Sequence, residues 1–187
     1  MMKKKENLYE ALTSILLGYL LLALDIHLGP INILPDWAGY LLMLSALPAL
    51  AAEEPSAALL QRLGQGLAVW SGIQWVLKIF GGSLDVYGLG LIVSAVSLYF
   101  HFQLLTDVMI AAKNHDLSQA KQMGFLRNLR TVVLTLVALP VDWAEGRWIG
   151  IAGALVLLGA MVHVAICLEL HHMRKELAEK EPLSEGR

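Results

Sequence analysis

Two ionisable pairs stand out in the apolar part of the sequence, because each places a histidine six residues before a carboxylate. His101 precedes Asp107, and His163 precedes Glu169. An imidazole changes its charge near neutral pH, so a buried histidine can pass a proton or hydrogen bond a solute. Ser97 lies one helical turn before His101 and adds a hydroxyl to the same helix face. These five residues form the predicted buried polar site, and the alternative is that they are polar groups hydrogen-bonded inside a helix bundle.

A second candidate site consists of carboxylates in the stretches that we expect to connect the helices on one side. Its members are Asp36, Asp85 and Asp142. A cleft lined by one sign of charge concentrates ions of the opposite sign, so these residues could form the outer mouth of a cation path. The alternative is ordinary loop structure, since Asp36 follows Pro35 and an aspartate readily caps the helix that follows it.

The histidines near the carboxyl end are also candidate metal ligands. His171 and His172 follow Cys167 closely in the sequence. Adjacent histidines on a helix point about 100° apart, and the neighbouring Arg174 and Lys175 would repel a cation. We therefore predict no metal site and no cofactor.

The sequence lacks the short motifs of common enzymes. There is no H-E-x-x-H, G-x-S-x-G, P-loop or C-x-x-C pattern. We assign no catalytic residues and expect a protein that is not an enzyme. A membrane enzyme that acts on lipid, with residues drawn from separate helices, is a third possibility.

The elements that must position these residues are long apolar segments. The 187-residue chain is 57% hydrophobic and only 16% charged, which is more apolar than a typical soluble domain. Six apolar segments cover residues 8–25, 37–52, 64–80, 86–112, 124–141 and 149–170. The fourth would form a helix roughly 40 Å long, enough to cross a hydrocarbon core of about 30 Å. The first follows a basic start without a small-residue cleavage site, so we expect it to be retained.

These segments predict an all-α fold. We expect one integral membrane domain over residues 1–187, with six transmembrane helices in three antiparallel hairpins and a polar tail at 171–187. A soluble chain of this length could not hide so many apolar segments in its core.

The distribution of positive charge predicts the orientation. Lys and Arg fall twelve to two on alternate sides of the predicted helices, the minority being Lys78 and Arg147. Positive residues accumulate on the cytoplasmic side, so both termini are expected in the cytoplasm. Tryptophan and tyrosine prefer the headgroup level, and several lie near the opposite side: Trp37, Trp75, Tyr87, Trp143 and Trp148.

Residues 34–40, LPDWAGY, run directly into an apolar helix. This segment resembles one found in small uncharacterised multi-pass membrane proteins of bacteria. The resemblance implies a bacterial cytoplasmic membrane and transfers no activity. By size and number of spans the chain is also similar to the substrate-capturing subunits of energy-coupling vitamin transporters, without a shared motif.

For the function, the sequence favours a small transporter or channel-like protein that moves a small solute or cation through a helix bundle. The partners would be the lipid bilayer and that solute. The alternative is a non-catalytic membrane protein that binds another membrane subunit or holds an assembly together, including a substrate-capturing subunit. The chain shows no basic patch, so no nucleic-acid partner is expected.

Two geometric predictions concern the buried ionisable residues. His101 and His163 should lie at nearly equal depth, roughly 21 to 22 Å from the outer ends of their helices at about 1.5 Å per residue, and should face inward. If the histidines are structural, we expect them to be hydrogen-bonded within the bundle, and Ser97 is one candidate partner of His101. Near the cytoplasmic rim, Asp107 and Glu169 are expected to pair with two arginines, Arg127 and Arg130, since pairing lowers the cost of charge in an apolar region.

Overall fold

The computed structural model describes residues 2–23, 27–28, 31–32, 35–82, 84, 88–139, 141–143, 146 and 148–180, with only the backbone described for residues 2–6, 27–28 and 31–32. The α-helices of this part of the chain are α1 (Met2–Ala23), α2 (Asp36–Ala51), α3 (Leu60–Ile79), α4 (Leu89–Asn114), α5 (Ala120–Val137) and α6 (Ile149–Lys180). A short 3₁₀ helix, Pro55–Leu59, precedes α3. Two-residue strands β1 (His27–Leu28) and β2 (Ile31–Asn32) pair antiparallel between α1 and α2.

The all-α prediction is confirmed, and each of the six apolar segments contains most of one of these α-helices. Two of the described helices, α4 and α6, are long and apolar enough to cross a membrane by length and composition. The helical parts Asn7–Ala23 and Asp36–Ala51 are apolar but shorter. The small β-hairpin was not predicted. It lies in the stretch that we expected to be an irregular loop.

The helices pack in a closed ring in which each helix contacts the next along the chain and α6 contacts α1. Neighbouring helices are antiparallel. Tyr19 of α1 contacts His163 of α6, and Tyr9 of α1 lies near Arg174 of α6. The residue numbers increase in opposite directions, so the two helices are antiparallel. The contacts between α2 and α3 and between α4 and α5 also show helices that run in opposite directions.

Alternating directions place the chain segments between α1 and α2, α3 and α4, and α5 and α6 at one end of the ring. We call this the tryptophan end, because Trp37 packs edge-on against Trp75 there and Trp143 packs against Trp148, with ring centroids 6.2 and 6.3 Å apart. Most of the Lys and Arg residues lie in the helices toward the opposite end, and we call it the basic end.

The closest helix contact joins α1 to α2. A Cβ atom built on Gly39 would lie 2.9 Å from the carbonyl oxygen of Gly18, and one on Gly18 would lie 2.8 Å from that of Gly39. Any larger side chain would collide with backbone, so glycine is required for this approach. The two helices therefore form a tightly packed pair.

The hydrophobic core is concentrated toward the basic end. Fully buried side chains of α4 begin at Phe100, and those of α6 begin at Val162. Toward the tryptophan end the same two helices expose large apolar side chains: Leu91 and Ile92 of α4, and Ile151, Val156 and Leu157 of α6. The ring is thus densely packed in one half and open in the other.

At the basic end, α6 runs past the core and is tied to the turn between α4 and α5. Glu176 accepts hydrogen bonds from the backbone N–H and the hydroxyl of Ser118, and Lys180 pairs with Glu176 at 2.8 Å. The hydrogen bond from Lys180 to Glu176 holds the pKa of that carboxyl at about 2. The predicted continuation of the sixth helix into the tail is confirmed as far as Lys180.

Candidate functional site

Tyr19 of α1 is the centre of a polar cluster in the interior of the ring. Its hydroxyl lies 3.1 Å from Nδ1 of His101, and its backbone carbonyl accepts a hydrogen bond of 2.8 Å from Nε2 of His163. Both imidazole rings lie 5.4 Å from the tyrosine ring, measured between centroids. Because α1 and α4 stand on opposite sides of the ring, the bond between Tyr19 and His101 crosses its interior.

Helix packing fixes these side chains in place. Tyr19 follows Gly18, whose contact with α2 brings α1 inward and buries the tyrosine completely. His101 is 3% exposed and packs against the rings of Tyr40 and Phe100, with centroid distances of 5.9 and 5.4 Å. A histidine enclosed by aromatic rings has few orientations, so its Nδ1 is held toward the tyrosine hydroxyl.

The two predicted histidines therefore do lie at one level, each against Tyr19. Ser97 is not the partner of His101. Its hydroxyl is hydrogen-bonded to the hydroxyl of Tyr40 at 3.1 Å, which places it beside the cluster. This prediction is wrong because the two side chains, one turn apart on α4, are hydrogen-bonded to different helices: His101 to α1 and Ser97 to α2.

Arg130 of α5 was predicted to reach the membrane interface, and instead it lies against the cluster. Its guanidinium carbon is 5.3 Å from the centroid of the Tyr19 ring. Its Nε atom is buried and has no hydrogen-bond partner among the described residues. No carboxylate of those residues lies within ion-pairing distance of it. A fixed positive charge thus adjoins both histidines.

The predicted pairing of Asp107 and Glu169 with Arg127 and Arg130 is wrong. Asp107 is fully buried, and its Oδ1 accepts hydrogen bonds from Ser56 at 2.6 Å and Gln103 at 2.8 Å, while Oδ2 has no partner among the described residues. Arg127 donates to the hydroxyl of Thr106. At Asp107, the hydroxyl of Ser56 in the 3₁₀ helix and the amide of Gln103 on α4 itself replace the expected cations.

Asp107 and Glu169 are consequently separate from the histidine cluster. Glu169 is buried on α6, two turns of helix beyond His163 toward the basic end. Of the five residues in the predicted buried site, the structure brings His101 and His163 together around Tyr19, places Ser97 beside them, and leaves the two carboxylates elsewhere.

A cavity of about 590 Å³ opens between α2, α3, α4 and α5 in the half of the ring near the tryptophan end. Polar side chains line it, and we call it the hydroxyl cavity; they are Asp36, Tyr40, Ser71, Ser94, Ser97 and Thr135. Its inner limit is the hydrogen-bonded pair of Tyr40 and Ser97. Since Tyr40 also packs on His101, the cavity ends directly in front of the histidine cluster.

Two of the three residues of the predicted mouth are described. Asp36 is exposed, is the first residue of α2 and borders the hydroxyl cavity; Pro35 holds the N-cap position, without a side-chain cap. Asp142 is exposed near the end of α5 and does not line this cavity. Asp85 lies outside the described residues.

A second space of about 410 Å³ lies between α5 and α6, and we call it the α5–α6 groove. Arg130 and His163 border one end. Apolar side chains form the remainder: Ala23, Val133, Leu134, Val137, Leu155, Val156, Gly159, Ala160 and Val164. The hydroxyl cavity and the groove are separated by the face of α5 that carries Leu134 and Val137, which border both.

Metal binding finds no support in these positions. Nowhere in the described ranges do three His, Cys, Asp or Glu side chains come together in a way that could hold an ion. His171 and His172 are exposed on α6, whereas Cys167 is buried.

Sequence reasoning missed Tyr19, Tyr40 and the position of Arg130. Tyrosine in an apolar helix carries no distinctive signal, because it is also common at membrane interfaces. For Arg130 a signal existed. It lies ten residues beyond Ala120, the first residue of α5 at the basic end, which is too far inside for an interfacial position to be assumed.

Comparison with protein families, with curated proteins and with solved structures gives no significant match over any part of the chain. The function must therefore be argued from the geometry.

Proposed function

We propose that this is an integral membrane transporter with six membrane-spanning helices, which takes up a small polar or cationic solute from the tryptophan end of its ring. Both termini would be cytoplasmic, and the tryptophan end would face outward. The resemblance of residues 34–40 supports placing it in the cytoplasmic membrane of a bacterium.

Membrane placement is supported by the apolar surface of the ring. Val156 and Leu157 of α6 are 65% and 67% exposed, and Leu91 and Ile92 of α4 are 64% and 60% exposed. Water would be a poor solvent for such continuous apolar faces, whereas lipid tails would cover them. At about 1.5 Å per residue, helices α3 to α6 are each roughly 27 Å or longer, close to or above the thickness of a hydrocarbon core.

The observation that carries the proposal is the hydroxyl cavity. Its mostly apolar lining carries several polar side chains, it is large enough for a small solute, and it reaches into the ring as far as Tyr40 and Ser97. Beyond that point the ring is filled by fully buried side chains such as Leu104, Leu105 and Met123. This arrangement corresponds to a site open to one side of the membrane and closed to the other.

The lining chemistry favours a polar or cationic solute. The hydroxyls of Ser94, Ser97 and Thr135 can both donate and accept hydrogen bonds, so they can replace water around a solute. The carboxylate of Asp36 lies at the border of the cavity and would attract a cation toward it. The bond between Tyr19 and His101 would then act as a second barrier behind the cavity.

The competing interpretation is a non-catalytic membrane protein that binds a partner or captures a substrate for other subunits. A dry, closely packed interior would favour partner binding. The polar cavity favours solute binding, and only a transport measurement separates movement of a solute from its capture.

Accessibility of the cavity is tested with single cysteines in a Cys167→Ser background. We expect Ser94→Cys and Ser97→Cys to react in intact cells with a membrane-impermeant cationic methanethiosulfonate, and more slowly with its anionic counterpart. Ser118→Cys, at the basic end, should react only after permeabilisation. Reaction of Ser118→Cys from outside would overturn the orientation, and inert cysteines at both cavity positions would overturn the open cavity.

Movement is tested with the purified protein in liposomes, by following swelling in isosmotic solutions of small neutral, cationic and anionic solutes. We expect uptake of at least one neutral or cationic solute, abolished by Thr135→Leu, which fills the cavity. Val132→Leu is the matched control, because Val132 is exposed on the same helix and does not line the cavity. Solute binding without uptake would favour the substrate-capturing alternative.

A further inference from the structure

The α5–α6 groove has a charged end and an apolar end. At the charged end, Arg130 has a buried Nε without a hydrogen-bond partner, and no ion pair to a carboxylate, among the described residues. His163 borders the same end, but its Nε2–H is already donated to the carbonyl of Tyr19. The guanidinium of Arg130 is therefore the group left to bind an anion.

An arginine in an apolar surrounding is energetically costly without a counter-charge. The tyrosine ring beneath it supplies only part of the compensation. A bound phosphate would supply the remainder, because the planar guanidinium matches two phosphate oxygens at once.

The remainder of the groove fits an acyl chain. From His163 to Leu155 the groove follows α6 for about 12 Å at 1.5 Å per residue, lined by aliphatic side chains. Gly159 widens it, since a Cβ there would meet only Val133, at 3.6 Å. Val156 and Val164 of its wall are 65% and 57% exposed, so the groove opens sideways toward the surrounding membrane.

The direction of the groove also matches a lipid. Its charged end lies toward the basic end of the ring and its apolar end toward the tryptophan end. In the orientation proposed above, the charged end of the groove faces the cytoplasmic side and the apolar end faces the outer side. Lipids of the cytoplasmic leaflet have that polarity, and anionic headgroups bind basic pockets between helices on that side.

From this complementarity we infer that the α5–α6 groove is a binding site for an anionic phospholipid, with its phosphate on Arg130 and one acyl chain between α5 and α6. The inference rests on the membrane orientation in the proposed function, but not on the hydroxyl cavity or on transport. In this site Arg130 binds the phosphate of the headgroup, and Gly159 leaves space for the acyl chain.

The test is native mass spectrometry of the purified full-length protein, titrated with phosphatidylglycerol or with phosphatidylcholine of the same chains. We expect phosphatidylglycerol to bind more tightly, and Arg130→Gln to weaken it by about tenfold to a hundredfold, the range for loss of a charge-assisted hydrogen bond. Arg127→Gln, on the same helix but bound to Thr106, is the charge control and should change little.

A second pair of variants tests the acyl chain without altering charge. Gly159→Leu should fill the groove and weaken binding, while Gly153→Leu, which has open space and does not line the groove, should not. Thermal unfolding establishes that each variant is folded.

Three results would overturn the inference. They are equal binding of the two lipids, equal effects of the two arginine variants, and displacement of all bound lipid by a free fatty acid that binds more tightly than phosphatidylglycerol. A failed proposed function has a different outcome, because absence of solute uptake by the wild-type protein would leave the preference for phosphatidylglycerol and its loss in Arg130→Gln unchanged.

Discussion

Replacement of Gly39 by alanine should weaken the contact between α1 and α2. The new Cβ would lie 2.9 Å from the carbonyl oxygen of Gly18 and 3.1 Å from Cγ of Leu22. A carbonyl fixed in a helix cannot move aside alone, so the helices must separate by a few tenths of an ångström along their length. Overpacking of this kind costs about 1 to 3 kcal/mol.

The control must remove the effect of alanine on the helix itself, which favours alanine over glycine by about 1 kcal/mol. Gly90→Ala serves this purpose, since a Cβ at Gly90 has open space around it in α4. The helix contribution then cancels, and the difference in unfolding free energy between the two variants should be the steric cost alone, about 1 to 3 kcal/mol.

The assay is reversible unfolding in mixed micelles with increasing denaturing detergent, followed by circular dichroism. Gly18→Ala should give a loss similar to that of Gly39→Ala, because its Cβ would lie 2.8 Å from the carbonyl of Gly39. If Gly39→Ala and Gly90→Ala are equally stable, the two backbones are not in contact and the packing argument for the position of Tyr19 is refuted.

Two further predictions concern single contacts. Tyr19→Phe removes the hydroxyl that meets His101 and should lower the unfolding free energy by about 1 to 3 kcal/mol, since it leaves a buried imidazole nitrogen unpaired; an unchanged value would show that this bond is absent. Glu176→Gln should have its full destabilising effect above the ordinary carboxyl pKa of 4.5, because the hydrogen bonds from Lys180 and Ser118 lower the pKa of Glu176 to about 2. The difference from the wild type should therefore shrink as the pH falls from 4.5 toward 2, and a difference that persists at the acidic limit would contradict the assignment.

The helices and the depth of the histidines could be predicted from the sequence, because both depend on counting along the chain. Residues 149–170 are apolar enough to predict a helix in any context, and the distances of His101 and His163 from their helix ends gave one common level. The end of α6 was less certain, since a polar helix and a polar tail have similar compositions.

The partners of the polar side chains could not be predicted, because they depend on how each helix is rotated about its axis. A soluble helix reveals its inner face by the contrast between apolar and polar residues. In α4 and α6 both the buried face and the exposed face are apolar, so this contrast is lost. The contacts that His101 of α4 and His163 of α6 make with Tyr19 therefore required the structure.

The contact between the carbonyl of Tyr19 and His163 joins residues 144 positions apart, on the first and last helices of the ring. Chains are synthesised from the amino terminus, and helices inserted early can pack before later ones exist. The pair α1 and α2 can therefore form soon after both are made, whereas ring closure must wait for α6. A chain interrupted before residue 163 would contain most of the helices and much of the core, yet the polar cluster would lack one of its two histidines. Assembly of the cluster thus depends on completion of nearly the whole chain.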